Sequence, residues 1–327
     1  MPVSVLIVGG GSIGERHLRC FQQIGCEVAL CETSDARRQE VAAQYRLAKT
    51  FAATGDAAKR SWDGVVICTP AHLHVEHVVE LAPSTPALLI EKPLCTRLAD
   101  VERLRAATAG KVVQIAYVLR AHPAVQHVRG QLDAGRIGTL HVVTVTAGQH
   151  FPTFRPAYRE IYYARRESGG GAIQDAATHL FDLIQHLGGP LDWVFCDAAH
   201  LELPGVEVED TVHVVGRAGR VMVMLALNQF MAPNETHVQL HGSAGSLAIR
   251  LHEHRSGLFL RGDAEWSWTA APVRERDDLF RWQAESFLAT AAGRQPPLCS
   301  LDDGIRALRV NLAALLSAES RRPEPTA

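Results

Sequence analysis

VSVLIVGGGSIGERHLRCFQQIGCEVALCE, residues 3–32, is the stretch from which the fold can be read. VSVLIV is a short β-rich apolar run, the pattern of a strand buried on both faces. GGGSIG follows with Gly9, Gly11 and Gly14 at GxGxxG spacing, and ERHLRCFQQIG then reads as a helix ending near Gly25. A second strand, CEVALCE, closes on Glu32. Strand, glycine turn, helix, strand and acidic residue in that order make a Rossmann unit. Each part meets a need of a bound dinucleotide. Glycines let the main chain approach the pyrophosphate, the helix start at Ser12 and Ile13 offers free N–H groups and positive potential, and a carboxylate bonds the ribose hydroxyls. Glu32 repels a 2′-phosphate, so NAD is the expected cofactor and NADP the weaker fit. Arg37 and Arg38, a turn further on, either soften that preference or form a solvated helix face.

The alternation continues outward. DGVVICTP (63–70) is a further strand, AHLHVEHVVELA a helix, and ALLIEKP (87–93) another strand. Repeated βα units imply a parallel sheet with helices on both faces, and ligands gather at the carboxyl ends of its strands. Cys68, Thr69, Pro70, Glu91 and Lys92 stand at such ends. His74 is expected to line the cofactor cleft, with His72 and His77 on the surface. No cysteine or carboxylate cluster completes a ligand set around these histidines, so no metal is expected.

The totals agree with a two-domain enzyme. The chain has 327 residues, 47% of them apolar and 21% charged, with a formal net charge of −2. Nothing in that balance points to nucleic acid or an anionic membrane surface. No apolar run has bilayer-spanning length, and the first strand is too short and lacks the basic flank of a signal peptide. The seven cysteines are scattered without a CxxC pair, as expected for a reduced, cytoplasmic protein.

At EKP (91–93) the chain resembles the glucose–fructose oxidoreductase, inositol dehydrogenase and rhizopine-catabolism (Gfo/Idh/MocA) family. The resemblance runs through the whole length: the GxGxxG opening, CTP followed by His74, EKP, then YVLRAHP (117–123) at the crossing between domains. RIGTLHVV (136–143), GGGAIQDAATH (169–179) and HGSAGSLAI (241–249), a late hairpin, complete it. It implies an α/β chain with a Rossmann NAD-binding domain, 1–118, and a substrate-binding and oligomerisation domain, 119–327, built on a large, mostly antiparallel sheet. LHVVTVTAG, DWVFCDAAHLEL, DTVHVVGR, RVMVMLALNQF, THVQLHGS and SLAIRLHEH read independently as strands of that sheet. A sheet with helices on one face needs cover on the other, so a homodimer or homotetramer is expected. SAESRRPEPTA reads as a frayed tail. The resemblance also implies a cis peptide before Pro93.

SGGGAIQDAATHLFDL (168–183) carries the second motif. A helix over 172–187 places Ile173, Ala176, Ala177, Leu180, Ile184 and Leu187 on one stripe. Asp175, His179, Asp182 and His186 fall on another, counting about 100° per residue. Asp182 and His186 read as facing water. Asp175 and His179 stand next to the glycines, and an Asp can accept from a His four residues on, orienting the imidazole. The resemblance matches Lys92, Asp175 and His179 to the family's catalytic lysine, aspartate and histidine. His179 would then be the base, Asp175 its orienting partner, and Lys92 the donor to the reacting oxygen. Glu91 would hold the nicotinamide ribose or the lysine, and the glycines of 169–171 would let the loop approach substrate or nicotinamide.

The stretch 148–170 shows no helix or strand period, and a loop of that length inside a domain is usually functional. Its Arg155, Arg159 and Tyr163, with Tyr117 and Arg120 of the crossing segment, are the candidate substrate residues, because guanidinium forks and aromatic faces suit a sugar with an anionic group. Arg155 touches the cofactor in an alternative reading, the arginines face solvent or a second subunit in another, and His122 lines the cleft or packs a helix. The segment resembles the family's GQ-x-LP-x-WRP, with Phe154 in place of the tryptophan. Ala71 replaces a frequent Asn, and LAPSTPALLIEKP lacks the usual glycine turn. The expected function is an NAD(P)-dependent oxidoreductase acting on a secondary hydroxyl of a sugar, sugar derivative or cyclitol. The alternatives are a redox-neutral NAD-dependent glycosidase and a non-catalytic sugar-sensing regulator.

Overall fold

The computed structural model describes residues 2–160, 162–166 and 169–326; Glu167 and Ser168, which flank the glycine motif, lie outside them. The first six strands are β1 (Ser4–Val8), β2 (Glu27–Cys31), β3 (Thr50–Phe51), β4 (Gly64–Ile67), β5 (Ala87–Ile90) and β6 (Val112–Ile115). They form a parallel sheet in the order β3-β2-β1-β4-β5-β6. This is the doubly wound order, with β1 at the point where the winding reverses. Helices α1 (Ser12–Gln23), α2 (Asp35–Tyr45), α3 (Thr54–Ala57), α4 (His74–Leu81) and α5 (Val101–Ala107) connect the strands. Val5, Leu6, Ile7, Val65, Val66, Leu88 and Leu89 are all fully buried, which explains why these strands read as unbroken apolar runs rather than alternating ones.

The second part opens with α6 (Pro123–Asp133), β7 (Leu140–Gly148) and α7 (Phe151–Phe154). A π-helical segment, Ile173–Ala177, then runs into α8 (Thr178–Gly188). Strands β8 (Trp193–Ala199), β9 (Thr211–Ala218), β10 (Val221–Asn228), β11 (Glu235–Gly242), β12 (Gly245–Arg250), β13 (Arg255–Leu260) and β14 (Ser267–Ala270) follow. Then come α9 (Arg276–Ala291), α10 (Leu301–Ser320) and β15 (Glu324–Pro325). The sheet has nine strands in the order β14-β13-β12-β11-β7-β10-β9-β8-β15, antiparallel except where β10 lies beside β7. Side chains alternate as the pleat requires: Val212 and Val214 of β9 are buried while His213 and Val215 are exposed. Helices α6 and α8 cover one face.

Two parts of this architecture differ from the sequence reading. The compact units are not the continuous segments 1–118 and 119–327. One holds residues through Ala121 together with Arg274–Ile305, the other His122–Val273 together with residues from Arg306 onward. The chain returns because α9 packs on α1: Asp277 pairs with Arg16 and Arg19, and Phe287 meets Phe21 edge-on at 6.2 Å. The carboxyl end is also no frayed tail. Glu324 and Pro325 pair with Val194 and Trp193, and the buried Thr326 hydroxyl donates to Leu191 O.

The 148–170 stretch builds a core of its own from Phe151, Tyr158 and Tyr163, closed by Leu203, Val206 and Val208. His122 packs a helix: its Nδ1 accepts the Ala124 N–H at 3.1 Å, capping α6. The ring proton therefore sits on Nε2, which meets His254 Nδ1 at 3.3 Å. Among the described residues no helix is long and apolar enough to cross a membrane.

Burial, with His254 beside it, lowers His122 to a pKa of about 4. A histidine whose folded pKa lies below its unfolded value, about 6.5, contributes stability that is complete above pH 6.5 and lost as pH falls through 4. Denaturant unfolding of the second unit should lose about 3 kcal/mol over that window. His122→Asn, which keeps a capping acceptor, should flatten that part of the profile.

Candidate active site

In the first unit the glycine turn sits between β1 and α1. Gly9 has φ +98° and Gly14 lies so close to Gly9 O that a methyl group there would overlap it. Only glycine allows this approach. Gly11 has open space around its Cα, with no heavy atom within 4 Å of where a side chain would begin. It caps α1 without any side-chain hydrogen bond, so the free N–H groups from Ser12 and Ile13 onward lie beside that opening. Ile13 also packs partly into the core. This is a cradle that fits a pyrophosphate.

Glu32 stands at the end of β2 as expected, and its carboxylate is held in place: Oε2 accepts the Gly10 N–H at 2.7 Å and Oε1 the Ser34 N–H at 2.8 Å. The two arginines are neither a solvated face nor free to meet a phosphate. Arg37 donates to Gly10 O at 2.7 Å and pairs with Glu15 and Glu40; Arg38 donates to Glu32 O and pairs with Asp35. Both features favour a free ribose over a 2′-phosphate.

Cys68, Thr69 and Pro70 follow β4 directly. Cys68 is buried and its thiol pushed well above the usual range by that burial, so it acts as a small apolar wall. His74 is buried, with Nε2 at 2.7 Å from Thr69 O and Nδ1 at 3.2 Å from Leu94 O. Burial lowers its pKa against the pull of the two carbonyls, and the ring lies between the CTP turn and the segment after Pro93. His77, expected on the surface, is partly buried and bonded to the Thr69 hydroxyl at 2.9 Å.

Glu91 follows β5 and is 6% exposed. Its Oε1 meets His17 Nε2 at 2.8 Å and its Oε2 accepts the Lys92 N–H at 3.0 Å. The bond to Lys92 is to its main-chain N–H. The Lys92–Pro93 peptide is cis. Sequence reasoning missed His17, although a signal was there: it stands three residues after Gly14 and four before Phe21, on the buried stripe of α1.

In the second unit Asp175 lies in the π-helical segment and His179 in the first turn of α8. π-segments are frequent at functional sites. Asp175 is 2% exposed, and its Oδ2 accepts from Arg155 Nη1 at 2.9 Å. The Arg155 guanidinium also lies 5.1 Å over the Phe151 ring. The two-stripe picture of a uniform helix fails here. Asp182 is buried, not solvated, because α8 is enclosed on nearly every side: Leu180, Phe181, Leu183, Ile184 and Leu187 are buried with it. His179 and His186 are partly buried.

The glycines serve the protein's own packing. A side chain at Gly170 would overlap the Tyr163 and Arg165 carbonyls, and one at Gly171 would overlap the Glu209 carboxylate. Tyr163, a substrate candidate, is fully buried and donates to Gln229 Oε1. Burial, then the nearby Asp175, Glu209 and Asp210, push its hydroxyl pKa far up. Tyr117 is buried too. Arg120, 4% exposed, donates to Leu298 O and pairs with Asp303. Arg159 is exposed but pinned, donating to Pro204 O at 2.8 Å over the Tyr158 ring. Tyr163, Arg120 and Arg159 hold local structure, while Arg155 engages a proposed catalytic side chain.

Among the described residues one set of metal-ligand types comes together, Glu235, His237 and His252, with donor atoms within 4.8 Å of one another. They are already hydrogen-bonded: His237 Nε2 meets Glu235 at 3.1 Å, and His252 Nδ1 accepts the Thr236 N–H at 3.2 Å.

Two family models match, "Oxidoreductase family, NAD-binding Rossmann fold" over residues 3–117 and "GFO/IDH/MocA C-terminal domain" over residues 125–248. The chain belongs to the GFO/IDH/MocA family. It is similar to inositol 2-dehydrogenase 1 of Saccharopolyspora erythraea, 32% identical over 99% of this chain and 96% of that one. It is also similar to inositol 2-dehydrogenase of Rhizobium meliloti, 26% identical over 98% of each. Among solved structures, levoglucosan dehydrogenase in complex with NADH and levoglucosan superposes with a TM-score of 0.89 at 19% identity over the whole of both chains. This GFO/IDH/MocA member is an NAD-binding oxidoreductase, and the cradle at Gly9–Gly14 with Glu32 behind it suits that cofactor. Gly14→Ala should raise the NAD dissociation constant at least about tenfold by forcing α1 away from the turn, as read by calorimetric titration.

Proposed function

We propose that this oxidoreductase is an NAD-dependent dehydrogenase acting on a secondary hydroxyl of a sugar, sugar derivative or cyclitol. The observation that carries the reading is the buried Asp175, ion-paired with Arg155, on the helical stretch that also bears His179. Full-length relatives named as inositol dehydrogenases support the substrate class.

Oxidising such a carbon removes a hydride from carbon and a proton from oxygen. NAD, when bound, supplies the hydride acceptor. His179 takes the hydroxyl proton as general base, and Asp175 orients the imidazole and stabilises its charged form. Lys92 donates a hydrogen bond to the oxygen as negative charge develops on it. The Glu91 carboxylate bonded to the Lys92 N–H steadies the main chain from which that side chain springs. Arg155 balances the charge of Asp175 and turns its remaining donors toward polar groups of the substrate.

Incubation with NAD and a panel of sugars, uronates, cyclitols and glycosides tests the reading. NADH should accumulate with one class, whereas glycoside cleavage without net NADH, or NAD binding without turnover, would overturn it. His179→Ala should lower kcat about 10²–10⁴-fold and Lys92→Ala about 10²–10³-fold. Both should keep NAD affinity near the wild-type value.

The same reading includes self-association through the uncovered sheet face. Phe195, Val215, Met224, Thr144, Gln239, Ala248, Gly257 and Trp268 pair across adjacent strands in one row. Met222, Met224 and Val215 are 54%, 44% and 47% exposed. A second copy would cover this apolar row. Met224→Glu should shift sedimentation toward the monomer without lowering NAD affinity.

A further inference from the structure

We propose that Glu209 is a positioning residue for Asp175 and His179, clamping the start of the helical stretch that carries them; this rests on the dehydrogenase reading above. Glu209 comes from the segment before β9, far from the motif in sequence, and is 4% exposed. Three bonds tie it to the stretch from 166 to 173. Its main-chain oxygen accepts the Ala172 N–H at 2.8 Å, its Oε1 accepts the Ile173 N–H at 3.1 Å, and its Oε2 accepts from Arg166 Nη2 at 3.2 Å. The first helical N–H groups lack partners within their own helix, and these acceptors satisfy two of them. The glycine lead-in follows from the same contact, since any side chain at Gly171 would displace the carboxylate.

The residues around Glu209 are built to keep it there. Asp210 beside it accepts the N–H groups of Leu201, Glu202 and Leu203 and the Thr211 hydroxyl, which anchors the turn from which Glu209 projects. Burial raises the Asp210 pKa, but these donors outweigh it and hold the group below the usual range. Burial raises the Glu209 pKa, with the Ile173 amide and Arg166 opposing. Tyr163 adds its hydroxyl at 3.5 Å from Glu209 O. A surface carboxylate at a helix start would be exchangeable for any capping residue; this one is enclosed by the loop, the glycines and the helix together. Asp175 lies two residues after the clamped Ile173 N–H, so a change at Glu209 is transmitted within one turn.

The test compares wild type, Glu209→Ala, Glu209→Gln and Arg166→Ala. Misplacing reacting groups by about 1 Å costs on the order of 100-fold in rate. Glu209→Ala should therefore lower kcat by about that factor, normalised to folded protein, with the NAD dissociation constant unchanged. Glu209→Gln keeps an acceptor for the Ile173 N–H and should recover most of the loss. Arg166→Ala, at a half-exposed side chain that leaves folding intact, should show a smaller drop. Hydrogen exchange over residues 171–180 is read in parallel and needs no substrate: it should accelerate in Glu209→Ala and return toward wild type in Glu209→Gln. Unchanged exchange in Glu209→Ala overturns the clamp, and so does equal loss of kcat in the Gln and Ala variants. A wild type that turns over no substrate overturns the dehydrogenase reading instead, leaving the exchange result to decide the clamp.

Discussion

Helix α1 approaches the turn before it so closely that Gly14 has no room for a side chain against Gly9 O. That contact does more than expose helix N–H groups to an anion. It sets the depth of α1 on the sheet, and so brings His17 to within 2.8 Å of Glu91 at the end of β5. Glu91 in turn accepts the N–H of Lys92. A steric constraint in the first fourteen residues is thereby passed through a buried polar pair to the residue proposed to bond the reacting oxygen. A buried carboxylate needs such partners, because leaving it unbonded costs far more than the bonds contribute.

The second unit solves a similar problem in a different way. Its helical motif begins next to a long connection whose backbone polar groups need partners. Phe151, Tyr158 and Tyr163 give that connection an apolar core, and Glu209 satisfies the Ile173 amide just beyond it. Glycine is required at 170 and 171 for these contacts, so a sequence feature that looks like flexibility is in fact a site of close packing.

Much of the first unit was legible because its strands are buried on both faces and its turn chemistry is local. The order of apolar run, glycine turn and acidic residue needs only neighbouring positions, whereas β3 and β6 and the order of the six strands came from the structure. The cofactor cradle was legible where a motif fixes both residue and register, as at the glycine turn and Glu32. The site was not legible where a side chain's role depends on a distant partner. Tyr163, Arg120 and Arg159 are the residue types that bind anionic sugars, yet each is held by groups 45 to 183 positions away. The short strands β14 and β15 escaped notice because edge pairing asks little of their composition.

The sequence by itself determined the Rossmann unit and the nature of the cofactor, since each rests on local spacing and on charge. Only the tertiary structure decided that 274–305 belongs with the first unit, that the tail is a strand, and that Asp175 is paired with Arg155. It also decided that His17 meets Glu91 in the first unit and that Glu209 accepts the Ile173 N–H in the second. Hydrogen bonds and packing between residues remote in the chain leave no periodic trace in it, because their geometry exists only once both segments are folded.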